Sequence, residues 1–149
     1  MRPGSCYGLG SDAHPGHGEY LSQTDTSYTE SIDVKILIIL NDPPYGTERS
    51  YNGLRLANNL LKADDTLNLT VFLMADAVAC AKRGQRTPDG HYNVERMLKQ
   101  TVHRGSVVLC GACMDARGLS QEELLDGSVR GTMTELAELT LASDQVLVF

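Results

Sequence analysis

Apolar residues in this chain gather into a few short, nearly continuous runs, separated by stretches in which they recur every three or four positions. Residues 34–40, 67–73 and 107–110 are the continuous runs, the pattern of strands covered on both faces, and 145–149 reads as a terminal strand. Helical spacing fills the intervals. Thr47 or its neighbour can cap a helix to about Leu61, with Tyr51, Leu54, Ala57, Leu60 and Leu61 on one face. Asp76 can cap a short helix through Lys82, and Asn93 a third carrying Val94, Met97, Leu98 and Val102 toward Gly105. A helical turn over 113–117 stops at Gly118. Two capping-box signatures follow, Ser120 with Glu123 and Thr132 with Glu135, the second opening a helix to Ala142 with Met133, Leu136, Ala137, Leu139 and Leu141. Strands alternating with helices at this spacing predict an α/β fold: a mainly parallel sheet of four or five strands with helices on both faces.

Residues 1–33 lack such a pattern. They are rich in Gly, Ser and Thr and hold no sustained apolar period, which predicts a flexible N-terminal extension before one folded domain over 34–149. Cys6 there is incidental, and His14 and His17 have no Cys or carboxylate cluster to complete a metal site. Within the domain, the loop from Asn41 to Gly46 matches no phosphate-binding glycine signature. The polar stretch 83–92 contains the turn signal Thr87-Pro88-Asp89-Gly90 and can lie over the strand ends, which makes His91 a candidate pocket residue as well as a plain loop histidine.

The chain has 149 residues, 42% hydrophobic, with 5% aromatic and no Trp, so its core must be aliphatic. A net charge of −6 argues against nucleic acid or an anionic membrane surface as partner, because phosphate binding needs clustered Lys and Arg. The longest purely aliphatic run, 36–40, is far short of the ~20 residues that span a bilayer. No basic region followed by an apolar one opens the chain as in a signal peptide. These features predict a soluble, cytoplasmic protein with its four cysteines, Cys6, Cys80, Cys110 and Cys113, reduced.

The pair Cys110-Gly111-Ala112-Cys113 falls where the third strand turns into a helix, the place at which open α/β sheets keep their chemistry. Backbone N–H groups of Gly111, Ala112 and Cys113 can stabilise a sulfur anion there, and Gly111 leaves the backbone open to close approach. Arg117, four residues after Cys113, either adds positive charge on its helix face or pairs with Asp115 or another carboxylate. Such a pair suits persulfide exchange or dithiol redox chemistry, neither of which calls for a cofactor. A zinc site of Cys110, Cys113, Cys80 and a His lacks a second closely spaced ligand pair; Cys80, set among Ala and Val, reads as core. A non-catalytic subunit with buried cysteines is the remaining reading.

Three segments together carry a resemblance: Asp42-Pro43-Pro44-Tyr45-Gly46-Thr47 after an aliphatic strand, the run from Cys110 through Asp115-Ala116-Arg117-Gly118, and the ending Ala142-Ser143-Asp144-Gln145-Val146-Leu147-Val148-Phe149. Over 34–149 the chain resembles the DsrE/DsrF-like family, which includes the TusD-type sulfur-relay subunits. The resemblance implies a three-layer α/β/α sandwich of the DsrEFH type and homo-oligomers, trimers or hexamers. It also implies a sulfurtransferase function in which Cys110 takes sulfur as a persulfide from a donor protein and passes it to an acceptor. Cys113 matches the second cysteine of family members with a Cys-x-x-Cys-x-Asp-Ala-Arg-Gly pattern.

Overall fold

The computed structural model describes residues 33–88 and 92–149. The expected extension over 1–33, apart from Asp33, lies outside the described residues, as does His91. The described chain runs β1 (Lys35–Leu40), α1 (Arg49–Ala63), β2 (Asn68–Leu73), a 3-10 helix (Ala75–Ala81), α2 (Val94–Arg104), β3 (Ser106–Cys110), α3 (Gly111–Asp115), a 3-10 turn (Gln121–Glu123), β4 (Ser128–Gly131), α4 (Met133–Ala142) and β5 (Gln145–Val148).

All five strands form one parallel sheet in the order β4-β3-β2-β1-β5. β2 lies at its centre and is buried from Leu69 to Leu73, as its unbroken apolar run requires. Because facing residues of parallel strands point to the same side, the register divides the core in two. Ile36, Ile38, Leu40, Leu69, Val71, Leu73, Val107 and Leu109 meet Leu54, Ala57 and Leu61 of α1 and Val94 and Leu98 of α2. On the opposite face Leu37, Phe72 and Cys110 meet Leu136 of α4. The three-layer α/β/α arrangement is therefore present, with one thick helical layer and one thin one.

Local chemistry explains the fit of the thick layer. Gly53 sits where α1 crosses β1, and a Cβ there would stand 2.5 Å from a Leu40 methyl. Buried Ser50 donates to the Asp42 carbonyl at 2.5 Å. Asn58 donates to the Met97 carbonyl at 3.1 Å while accepting from Thr101, also at 3.1 Å, so the α1–α2 contact buries no orphaned polar group.

Several local expectations shift. Asp76 does not cap its helix: the segment is 3-10, Met74 is the cap residue, and Asp76 sits in the first turn. Glu48, the neighbour of Thr47, precedes α1 as the alternative allowed, but without a side-chain cap, the Thr47 hydroxyl being turned onto the Asp42 carboxylate at 2.7 Å. The turn expected at 113–117 forms earlier, at Gly111–Asp115. β4 has no counterpart in the apolar pattern. The helix after Thr132 is capped as expected, Glu135 N–H donating to the Thr132 hydroxyl and the Glu135 carboxylate accepting from Thr132 N–H. Its apolar residues, however, are largely uncovered: only Leu136 is buried, while Met133 and Leu141 are 58% and 88% exposed.

Candidate functional site

Three parallel strands end together around the two cysteines. Cys110 closes β3, paired with Gly131 of β4, while its neighbour Leu109 faces Leu73 of β2. Extended backbone at Cys110 (φ −61°, ψ 110°) gives way at once to α3, and the Cys110 side chain makes no capping hydrogen bond with the amides of that turn. Its thiol instead lies 5% exposed among Leu37, Phe72 and Leu136. Cys113, one turn further, is half-buried and packs against both halves of the core, so it lies nearer the mouth of the site than Cys110.

The donor on a cysteine sulfur comes from a different strand end. Ala75 follows β2, and its N–H points at Cys113 Sγ at 3.2 Å. Ala75 adopts φ +44°, the left-handed region that costs an L-residue roughly 1–2 kcal/mol. The next residue, Asp76, accepts from Arg117 Nε at 2.8 Å and lies 2.6 Å from Arg117 Nη2. Arg117 Nη1 in turn donates to the Cys113 carbonyl at 3.1 Å. Two adjacent residues of the β2 turn thus grip two positions of the cysteine turn, and they hold the strained amide in place.

A second guanidinium closes the other side. Arg130 of β4 donates from Nη1 and Nη2 to the two carboxylate oxygens of Asp115, at 2.9 and 2.6 Å, a bidentate pair. It lies directly over Gly111, where a Cβ would be 2.7 Å from Arg130 Nε. The close approach that Gly111 permits is taken up by this side chain. Arg130 holds the Asp115 carboxyl below the usual carboxylate range, so Asp115 stays ionised and bound to arginine instead of facing the sulfur atoms.

Burial and the neighbouring Cys110 push the Cys113 thiol up, against the opposing pull of the Ala75 N–H and the Arg117 charge. Burial and Cys110 both favour the protonated form of Cys113. Cys80 is separate: fully buried, with its thiol donating weakly to the Asp42 carbonyl at 3.9 Å, it is pushed up to about 12 by desolvation. Among the described residues no three His, Cys, Asp or Glu side chains converge as a metal site would need, and no helix is long and apolar enough to cross a membrane.

Of the residues singled out in the sequence, Cys110, Gly111, Ala112, Cys113 and Arg117 lie in one turn or directly after it. Ala75, Asp76 and Arg130 complete the site and come from the start of the 3-10 helix after β2 and from β4, remote in sequence. A left-handed alanine leaves no local trace in sequence, and β4 itself was not legible.

A family model for the DsrE/DsrF-like family matches residues 34–149. The chain belongs to that family. Protein YchN of Escherichia coli K12 is 46% identical over 116 residues, covering 77% of this chain and 98% of its own. An uncharacterized protein of Methanopyrus kandleri is 38% identical over 121 residues, 80% of this chain and 97% of its own. The crystal structure of E. coli YchN superposes with a TM-score of 0.74 at 44% identity, over 78% of this chain and 99% of that one. A structure from Methanobacterium thermoautotrophicum, at 15% identity and a TM-score of 0.59, shares the fold. The DsrE/DsrF-like match begins at residue 34, one position before β1.

Proposed function

We propose that this DsrE/DsrF-like protein is a cysteine-based sulfur carrier. The Cys110 thiolate attacks the outer sulfur of a donor persulfide, holds it as Cys110–S–SH, and yields it to the thiolate of an acceptor. The family's association with sulfur relay supports this reading. The observation that carries it is the arrangement of two free thiols, Cys110 at the floor and Cys113 at the mouth of a site at the strand ends, with a strained backbone amide aimed at the Cys113 sulfur. Incubation with an alkyl persulfide followed by an acceptor thiol tests it. The protein gains one sulfur atom in intact mass and then loses it to the acceptor; a chain that never gains mass contradicts the proposal.

Cys113 packs against the cluster that contains Cys110, one helical turn away, which favours dithiol–disulfide exchange as the second reading. It separates cleanly, since a disulfide lowers the mass by two hydrogens. Chemistry that needs both thiols reduced suits the cytoplasm.

We also propose that the protein works as a homo-oligomer, a trimer or hexamer, engaging donor and acceptor proteins at the cysteine site. The thin helical layer supports this. Val129, Met133, Leu141 and Val148 leave apolar surface in water on the α4 side of the sheet, beside a groove of about 350 Å³ between α4 and β3–β4 lined by Val108, Val129 and Leu139.

A further inference from the structure

Sulfur transfer onto Cys110 leaves a thiolate behind on the donor, and an alkyl thiolate leaves more slowly than one of lower pKa, so a proton delivered as the S–S bond breaks assists it. One group in the site is placed to do this. Cys113 lies one turn beyond Cys110 and closer to solvent, on the side by which a donor must enter and its spent thiol must leave. Its sulfur already accepts a hydrogen bond from Ala75, so a thiolate formed there finds a donor in position without any rearrangement. Arg117, fixed by Asp76 and bonded to the Cys113 carbonyl, brings positive charge to the same sulfur.

Resting on the sulfur-carrier reading, we propose that Cys113 is the general acid of the transfer and Ala75 its positioning residue, the strained amide serving to hold the thiolate that Cys113 becomes. The step is Cys110–S⁻ + R–S–SH + Cys113–SH → Cys110–S–SH + R–SH + Cys113–S⁻. The Cys110 sulfur bonds to the outer sulfur of the donor, the donor S–S bond breaks, its electron pair stays on R–S, and the Cys113 proton neutralises it. The Cys110 sulfur is oxidised by as much as the donor's R–S sulfur is reduced, the transferred sulfur keeps its oxidation state, and no external oxidant or reductant takes part. Cys113 recovers its proton from water before the next turnover. The upward push on Cys113 from burial and from Cys110 suits this role, since an acid must reach the reaction still protonated.

The assignment gives Cys113 an effect that depends on the leaving group, which a structural role would not. The full chain and its Cys113→Ala variant are each reacted with a dialkyl and a diaryl disulfide, and initial attack on the first S–S bond is followed by intact mass. An aryl thiolate, of low pKa, gains little from a proton as it departs; an alkyl thiolate, of higher pKa, gains much more. General acid catalysis is typically worth about 10²–10⁴-fold. The variant should therefore be slowed roughly a hundredfold more with the dialkyl than with the diaryl disulfide. Because both donors meet the same preparation, incomplete folding of the variant cancels in the ratio. Equal slowing with both donors would make Cys113 a structural residue or itself the nucleophile, and no slowing with either would make it a bystander; each overturns the proposal. Failure of the sulfur-carrier reading looks different: wild-type protein then gains no sulfur from an alkyl persulfide, whatever the disulfide ratio.

Discussion

Two residues outside the Cys-x-x-Cys motif show how strain and burial are placed in this protein. Ala75 holds a left-handed conformation that glycine would adopt without penalty, so Ala75→Gly removes about 1–2 kcal/mol of strain while adding about 0.5–1 kcal/mol of unfolded-chain entropy. Urea unfolding should find it neutral to stabilising, by up to about 1.5 kcal/mol. Ala57→Gly, in the buried face of α1, should destabilise. Cys80 gives a pH signature. Its proton is held more tightly folded, to about 12, than at the ordinary value of 9.0. Its contribution is therefore complete below about pH 9 and is lost as pH rises from there to about 12. Compared across that window, wild-type protein should lose stability faster than Cys80→Ala, and parallel curves would show that burial does not hold the thiol. Sequence reading stops short at this scale. Cys110, Cys113 and Arg117 declare themselves by local spacing, whereas the reach of Ala75 to Cys113 spans 38 positions and rests on a backbone angle that alanine gives no reason to expect.

The central strands were legible through their burial. β1, β2 and β3 are covered on both faces by helices, and their apolar runs follow from that. β4 is four residues long, Ser128-Val129-Arg130-Gly131, an edge strand with one exposed valine, so no periodic signal marks it. Missing β4 also hid Arg130, whose place over Gly111 exists only once β4 pairs with β3. The starts of α2 and α4 were legible because Asn93 and Thr132 cap by local chemistry, whereas Asp76 and Thr47 are drawn into other hydrogen bonds. Thr132 and Glu135 satisfy each other's backbone amides, and α4 has little packing to fall back on, with Leu136 alone buried. Thr132→Ala should cost about 1 kcal/mol, and α4 should be the first element to lose amide protection in hydrogen exchange. Slower exchange in α4 than in α1 would contradict the reading of α4 as weakly docked.

For the whole molecule, the asymmetry of the two helical layers is the dominant feature. One face of the sheet carries α1, α2 and a large aliphatic core; the other carries α4 and leaves Leu141 88% and Val148 60% exposed. A second copy is the simplest cover for such a surface. Light scattering at micromolar concentration should give a trimer or a multiple of one, and Leu141→Glu should shift it toward monomer by placing a charge in that contact. A wild-type monomer would refute the assembly. The sulfur chemistry stands or falls separately, on where the sulfur sits. Wild-type protein loaded from an alkyl persulfide, alkylated under conditions that keep the added sulfur, and mapped by peptide mass should carry it on Cys110, and Cys110→Ser should remain unloaded under the same treatment. Sulfur found on Cys113, with Cys110→Ser loading normally, would contradict the assignment of Cys110 as the carrier.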